Sequence, residues 1–285
     1  ENSVPQISQR GSSSGTGHRF MRQHWAEPLK VDNSPVILNN FLSDKDQSLL
    51  SALNPIDIPM QGDLFMKKDI LEKGAIIQRD KQNYAVAPHI PGGITNADQL
   101  RKIADVAEKY QAQALKITSA QRIAIVGFDE KHIDAMWEDL GEKPGAAIGL
   151  CVRSVKICPG TTFCKRGQQD SVAVGLEMDE KYHGLELPWK FKMGVSGCIN
   201  DCAEGCIKDV ALIGTPKGWN VMVGGNGGAQ PRLSQKLVEH VPTNEEALAI
   251  VDKLVQWFKG KDRRCRLGKL VEEMGIEEFR KETLG

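Results

Sequence analysis

No charge of either sign is in excess. Lysine plus arginine and aspartate plus glutamate number 37 each, so no global field draws the chain to nucleic acid or to an anionic membrane, and any attraction for anions has to be local. No apolar run approaches the roughly 20 residues that span a bilayer, which excludes a membrane-spanning helix. The basic-then-apolar pattern of a secretory leader is also missing, and an even set of cysteines with it. Seven cysteines, four of them in two closely spaced pairs, suit a reducing compartment better than a secreted disulfide scaffold, so a cytoplasmic location is expected. The glycine-rich loop "GGNGG" at 224–228 lacks the G-x-G-x-x-G spacing and the acidic residue about 20 positions later, which excludes a nicotinamide or flavin fingerprint. No internal repeat is visible.

What is present is a chain of 285 residues with 40% hydrophobic content, enough for one large or two modest domains. Residues 1–65 differ from the rest. "GSSSGTG" at 11–17 is linker-like, a short helix from Asp44 to Leu53 capped by Ser43 is the most that the pattern allows, and regular sequence begins at Met66. The expectation is a poorly ordered or non-native extension over 1–65.

Between Gly74 and Pro88, "AIIQ" and "YAVAP" flank a polar turn and predict a hairpin. A helix capped by Thr95 and Asp98 follows, with Leu100, Ile103, Ala104 and Ala107 at helical spacing. Strands at Ala112–Thr118 and Arg122–Val126 come next, then a helix from Asp129 that buries Ile133, Met136, Trp137 and Leu140. This order predicts a small α+β sandwich over 66–144, with both helices on one face of an antiparallel sheet. A second domain, 145–285, is expected to hold the cysteine region, strands near Val210–Gly214 and Trp219–Val223, and a helical C-terminus. A capping box of Thr243 and Glu246 starts one of those helices, and Leu267, Leu270, Val271 and Met274 mark another.

The chemistry concentrates between Cys151 and Cys206. Cys158 and Cys164 stand in "CPGTTFC", Cys198 and Cys202 in "SGCINDC", on glycine-rich turns rather than in strand interiors. Four such thiols suit an iron–sulfur cluster, whose irons are held by converging thiolates; a zinc site or unrelated buried thiols remain open on spacing alone. Cys206 lies too far along a helix to share one cluster with Cys198, so it reads as structural, with Cys151 and Cys265. In "LPWKFKMGVSGC", Lys190 and Lys192 are two apart. On a strand both ammonium groups would project from one face, with Phe191 turned the other way. Arg153 in "CVRSVKICPG" is a permanent cation suited to clamping an anion.

Together these residues resemble the siroheme-containing nitrite and sulfite reductase superfamily from about Met66 to Gly285, with "KITSAQRIAIVG", "CPGTTFCKRGQQDS", "KFKMGVSGCINDCAE", "KDVALIG" and "KGWNVMVGGNGG" in family order. The resemblance implies a ferredoxin-like half-domain followed by an α+β domain that binds a 4Fe-4S cluster. It assigns Cys158, Cys164, Cys198 and Cys202 to the cluster, with the Cys202 sulfur also ligating siroheme iron. It further implies that Arg153, Lys190 and Lys192 bind the substrate anion and that Thr118, Gln121, Arg122 and Asn226 lie near the tetrapyrrole. The reaction expected is six-electron reduction of sulfite to sulfide or nitrite to ammonia, with electrons from a ferredoxin or a reductase subunit; an electron-transfer protein without siroheme is the alternative. Ala120 stands where many sulfite reductases have an arginine. Only one module is present where longer members carry two, which implies a homodimer or partner complex.

Overall fold

Two β-sheets with helices packed on them organise residues 67–285, the part of the chain that the computed structural model describes. The short helix expected at 44–53 and the extension expected over 1–65 lie outside the described residues. The first sheet holds β1 (Ile76–Ile77), β2 (Tyr84–Val86), β3 (Ala114–Ile117) and β4 (Ile123–Phe128), antiparallel in the order β1-β2-β4-β3. The β1–β2 turn forms because the Asp80 carboxylate accepts the Gln82 and Asn83 N–H groups at 2.9 Å each, an Asx-type closure.

Helices α1 (Ala97–Lys109) and α2 (Ile133–Leu140) pack on this sheet. The α1 cap lies one residue later than the sequence suggests. Asn96, not Thr95, accepts the Gln99 N–H at 2.9 Å, while the Thr95 hydroxyl bonds the Gln99 side chain. Leu100 is exposed, and the buried face of α1 is Ile103, Val106 and Ala107. All four apolar residues expected of α2 are buried.

The second sheet is mixed, in the order β5 (Val152–Ile157), β6 (Phe191–Ser196), β7 (Val210–Thr215), β8 (Gly218–Val223), β9 (Gln235–Val241). β5, β6 and β7 run parallel, in registers such as Val155↔Met193 and Val195↔Leu212; β7, β8 and β9 are antiparallel. The β5-to-β6 crossover contains a single helical turn, α3 (Gly160–Phe163), and α4 (Ser171–Tyr182), capped by the Asp170 carboxylate. The C-terminal helices are α5 (Asn244–Lys259), α6 (Leu267–Met274) and α7 (Ile276–Leu284). The Thr243 hydroxyl caps α5 by accepting the Glu246 N–H.

The core of this half gathers Phe191, Met193, Trp219 and Val221 from the sheet with Val251, Leu254, Val255 and Phe258 from α5. Each large apolar side chain fully buried there contributes on the order of 1.5–3 kcal/mol. Parallel alignment of β5 and β6 has a further result: their C-terminal ends share one edge, and Cys158 and Cys198 follow those two ends. Loops at the carboxyl ends of parallel strands are where open sheets place their chemistry.

Candidate functional site

At that shared edge the two cysteine loops are in contact. The Gly197 N–H donates to Cys158 Sγ at 3.1 Å, the Cys158 N–H donates to Val195 O at 3.1 Å, and the Gln168 and Gln169 N–H groups donate to Gly197 O at 2.8 and 3.0 Å. Only glycine fits at 197, because a Cβ there would stand 2.7 Å from both Gln169 O and Gly160 Cα. Gly160 is itself left-handed, with a φ of +51°, and its missing Cβ leaves room for Ser171. Cys158 and Cys198 are buried, Cys164 is half-buried and Cys202 is exposed; all are free thiols. Among the described residues no three His, Cys, Asp or Glu side chains are grouped as a single metal ion would require. Four thiols on touching loops, one already receiving an N–H···S bond, suit a cluster that spreads its ligands over several irons.

A polar strap joins the first half to this edge. The side-chain amide of Gln121 donates to Ile157 O and accepts from Ile157 N–H, both at 2.9 Å, immediately before Cys158. Gln121 is left-handed, with a φ of 60°, in the β3–β4 turn, where the Thr118 hydroxyl accepts the Arg122 N–H at 3.2 Å. Arg122 is 3% exposed, and its guanidinium donates to Arg153 O and, at 2.9 Å, to His183 Nε2. The resemblance places these three side chains near a tetrapyrrole; in this structure their hydrogen bonds tie the β3–β4 turn to β5, and Arg122 Nε has no partner. His183 stacks on His89 with ring centroids 3.5 Å apart, and His89 Nε2 bonds Asp179 at 2.6 Å. As an acceptor from Arg122, His183 is neutral; burial first, then His89 and Arg122, pushes its pKa down to about 4.

The other feature is a cleft of about 460 Å³. Arg153, Lys190, Lys192 and Asn226 all line it, as does Ser119 from the β3–β4 turn. Phe191 is fully buried on the opposite face, as alternation along a strand demands. Asn226 holds the glycine loop closed, its Nδ2 donating to Gln230 O at 2.6 Å.

The charges of this cleft are sorted. Glu204 pairs with Lys156 at 2.7 Å and with Lys208 at 3.1 Å, Arg232 with Glu272 at 2.8 Å, Arg266 with Asp209 at 2.6 Å, and Lys269 with Glu273 at 3.8 Å. Among the described residues Arg153, Lys190 and Lys192 have no carboxylate partner. The Arg153 guanidinium is half-buried and donates to Gly149 O at 2.8 and 3.0 Å. Burial lowers the Lys192 ammonium below the ordinary lysine range, and Arg266, Lys208 and Arg153 lower it further. The hydrogen bond from Lys156 holds the Glu204 carboxyl below the usual carboxylate range.

None of the four cluster-candidate cysteines lines the cleft; the thiol that does is Cys265. Sequence reasoning missed Glu204, Asp209 and Arg266. The basic run "RRCR" at 263–266, just before α6, was the one available signal for Arg266.

Comparison with known proteins finds matches to both halves of the described chain. Residues 76–143 match the family described as nitrite/sulfite reductase ferredoxin-like half domain, and residues 148–284 the nitrite and sulphite reductase 4Fe-4S domain. The chain is 42% identical over 214 residues to an assimilatory-type sulfite reductase of Nitratidesulfovibrio vulgaris, covering 75% of this chain and 98% of that protein. It is 43% identical over 185 residues to the nitrite reductase [NAD(P)H] of Bacillus subtilis, covering 65% of this chain but 23% of that protein. The fold is similar to that of the Mycobacterium tuberculosis NirA protein, with a TM-score of 0.64 at 22% identity over 77% of this chain and 44% of that one. Against dissimilatory sulfite reductase I the TM-score is 0.63 at 15% identity, over 70% of this chain and 69% of that one. This chain belongs to the nitrite and sulfite reductase family, carrying its ferredoxin-like half-domain and its 4Fe-4S domain.

Proposed function

We propose that the protein reduces sulfite to sulfide, or nitrite to ammonia, by six electrons at a siroheme joined to a 4Fe-4S cluster. The observation that carries this reading is the charge sorting of the cleft, where three cations are left uncompensated beside one another while their neighbours are matched to carboxylates. Unpaired cations in a partly dehydrated cleft attract a small oxyanion strongly, because little water screens them. Cys158, Cys164, Cys198 and Cys202 would hold the cluster, and the exposed Cys202 is the sulfur most accessible to a second iron. When bound, the cluster and siroheme would relay electrons from an external donor and provide an iron to bind the anion.

The chain's own residues do the rest. Arg153 fixes negative charge without yielding a proton. Lys192, its ammonium made more acidic by burial, holds a proton at Nζ where an oxygen departing as water needs one, and Lys190 supplies a second cation beside it. Asn226 and the glycine loop offer donors to tetrapyrrole carboxylates. Thr118, Gln121 and Arg122 act there indirectly, by holding the turn that carries Ser119 into the cleft. A separate ferredoxin or reductase subunit delivers the electrons.

The active form is a homodimer, in which the Arg153, Lys190 and Lys192 of one copy face the siroheme of the other. That none of the four cysteines lines the cleft supports this. So does β3, an edge strand that leaves Leu115 45% and Ile117 75% exposed, apolar surface of the kind a second copy covers. Anaerobic turnover of the cofactor-loaded chain with a reduced viologen, sulfide and ammonia being measured separately, tests the activity. Sulfide or ammonia formation is expected; neither, with full iron and tetrapyrrole content, would leave an electron carrier instead.

A further inference from the structure

Asp209 carries no assigned role, yet it is the most enclosed ionisable group near the cleft, its residue fully buried. It grips Lys192 from both sides of the backbone. The Lys192 N–H donates to the Asp209 carboxylate at 2.8 Å, and the Asp209 N–H donates to Lys192 O at 2.9 Å. The same carboxylate receives Arg266 in a two-point pair, Nε to Oδ1 at 2.9 Å and Nη2 to Oδ2 at 2.6 Å. A third tie runs from the Gly224 N–H to Asp209 O at 2.8 Å, which anchors the start of the glycine loop to the same residue. One residue therefore connects the strand that carries Lys192, the segment that carries Arg266 and the loop that carries Asn226.

We propose that Asp209 is a positioning residue for the cleft: it fixes Lys192 in register and supplies the buried negative charge that lets Arg153, Lys208 and Arg266 stand around its ammonium. This deepens the function proposed above and rests on its reading of Lys192 as the proton-holding group. The electrostatics agree in sign. Burial comes first in lowering the Lys192 ammonium, then Arg266, Lys208 and Arg153; Asp209 is the group that raises it. These neighbours come from β5, the segment just before β7 and the segment before α6. Burial pushes the Asp209 carboxyl up, and the Arg266 pair and the Lys192 N–H oppose that push. A two-point bond from a guanidinium and a further bond from a backbone N–H favour the ionised carboxylate against that burial.

Two substitutions with opposite expected effects separate this from a merely structural role. Only the free amine reacts with acetic anhydride, so the acylation rate of Lys192, followed against pH by peptide mass spectrometry on the cofactor-loaded chain, reports its titration directly. Asp209→Asn should move the midpoint down by about one unit, and Lys208→Met, which removes a neighbouring cation and leaves the Asp209–Arg266 pair intact, should move it up. The alkaline limb of kcat at saturating substrate should follow each shift. Midpoints that stay in place, or that move in the same direction, overturn the proposal. Should Asp209→Asn not fold, Asp209→Glu decides: the longer side chain keeps the charge but displaces its bond to the Lys192 N–H, so exchange of that amide should quicken, and exchange at the wild-type rate is the refuting result. Labelling requires no turnover, so inactivity toward both sulfite and nitrite would sink the proposed function without touching this measurement, while unmoved midpoints in an active enzyme would sink only the role of Asp209.

Discussion

Adding one methyl group at Gly197 should separate the two cysteine loops. In Gly197→Ala the new Cβ would stand 2.7 Å from Gln169 O and 2.7 Å from Gly160 Cα, both backbone atoms that no rotamer change can clear. Overpacking of that kind costs roughly 1–3 kcal/mol. Relief by moving the loops apart weakens the Gly197 N–H···Sγ bond to Cys158 and the two bonds that Gln168 and Gln169 donate to Gly197 O, each worth about 1 kcal/mol net. A total near 3 kcal/mol is expected, to the order of magnitude that these two effects allow. For a folded unit of this size that corresponds to a fall in thermal midpoint of about 6–12 °C. Because Cys158 and Cys198 flank the clash, iron and acid-labile sulfide should fall with the midpoint, and the loss should exceed that of a control such as Gly228→Ala, where a Cβ meets nothing closer than 3.5 Å. A Gly197→Ala protein with wild-type melting and full cluster content would refute the account of how the two loops meet.

Other outcomes follow from the same geometry. Gln121→Leu removes both bonds to the Ile157 backbone and should lower stability by about 1–3 kcal/mol, with accelerated loss of iron from the assembled protein as the reporter. His183, with its folded pKa at about 4 against an ordinary 6.5, binds its proton in the unfolded chain before the folded one. Stability should therefore drop as pH falls from about 6.5 to 4, and His183→Gln should flatten thermal midpoints across that window. Lys192→Ala should slow turnover roughly 100-fold or more, with tetrapyrrole and iron content unchanged. If the sites are shared between copies, mixing Lys192→Ala chains with otherwise inactive Cys202→Ser chains under exchange conditions should restore about one quarter of wild-type activity, and no recovery in verified mixed dimers would exclude shared sites.

Local signals carried the parts of the fold that could be read directly. The Asp80 turn, the Thr243 capping box and the four-residue stripe of α2 are set by contacts within a few positions, so spacing reveals them. β5 and α4 leave weaker marks. α4 buries one face, but Ser171, Gly175 and Asp179 stand in it beside Val174, Met178 and Tyr182, so the stripe is not apolar in sequence, and β5 buries residues on both faces, so it shows no clean alternation. The parallel pairing of β5, β6 and β7 likewise leaves no local mark.

In the site, the unpaired cations were legible because Lys190, just before β6, and Lys192, within it, are two residues apart and both line the cleft. Their neighbours' counter-charges were not, since Lys156 meets Glu204 across 48 positions and Asp209 meets Arg266 across 57. Charge that matters by being cancelled is invisible until the chain is folded.

The Gln121 amide grips the peptide of Ile157 as a neighbouring strand would, so the tip of the first sheet and the entry to the cysteine loops form one rigid joint. Recombination between relatives that cuts at the natural-looking border near Gly145 would pair one parent's turn with the other parent's strand. Hybrids that inherit residues 118–122 and 152–158, together with His89, Asp179 and His183, from a single ancestor should assemble.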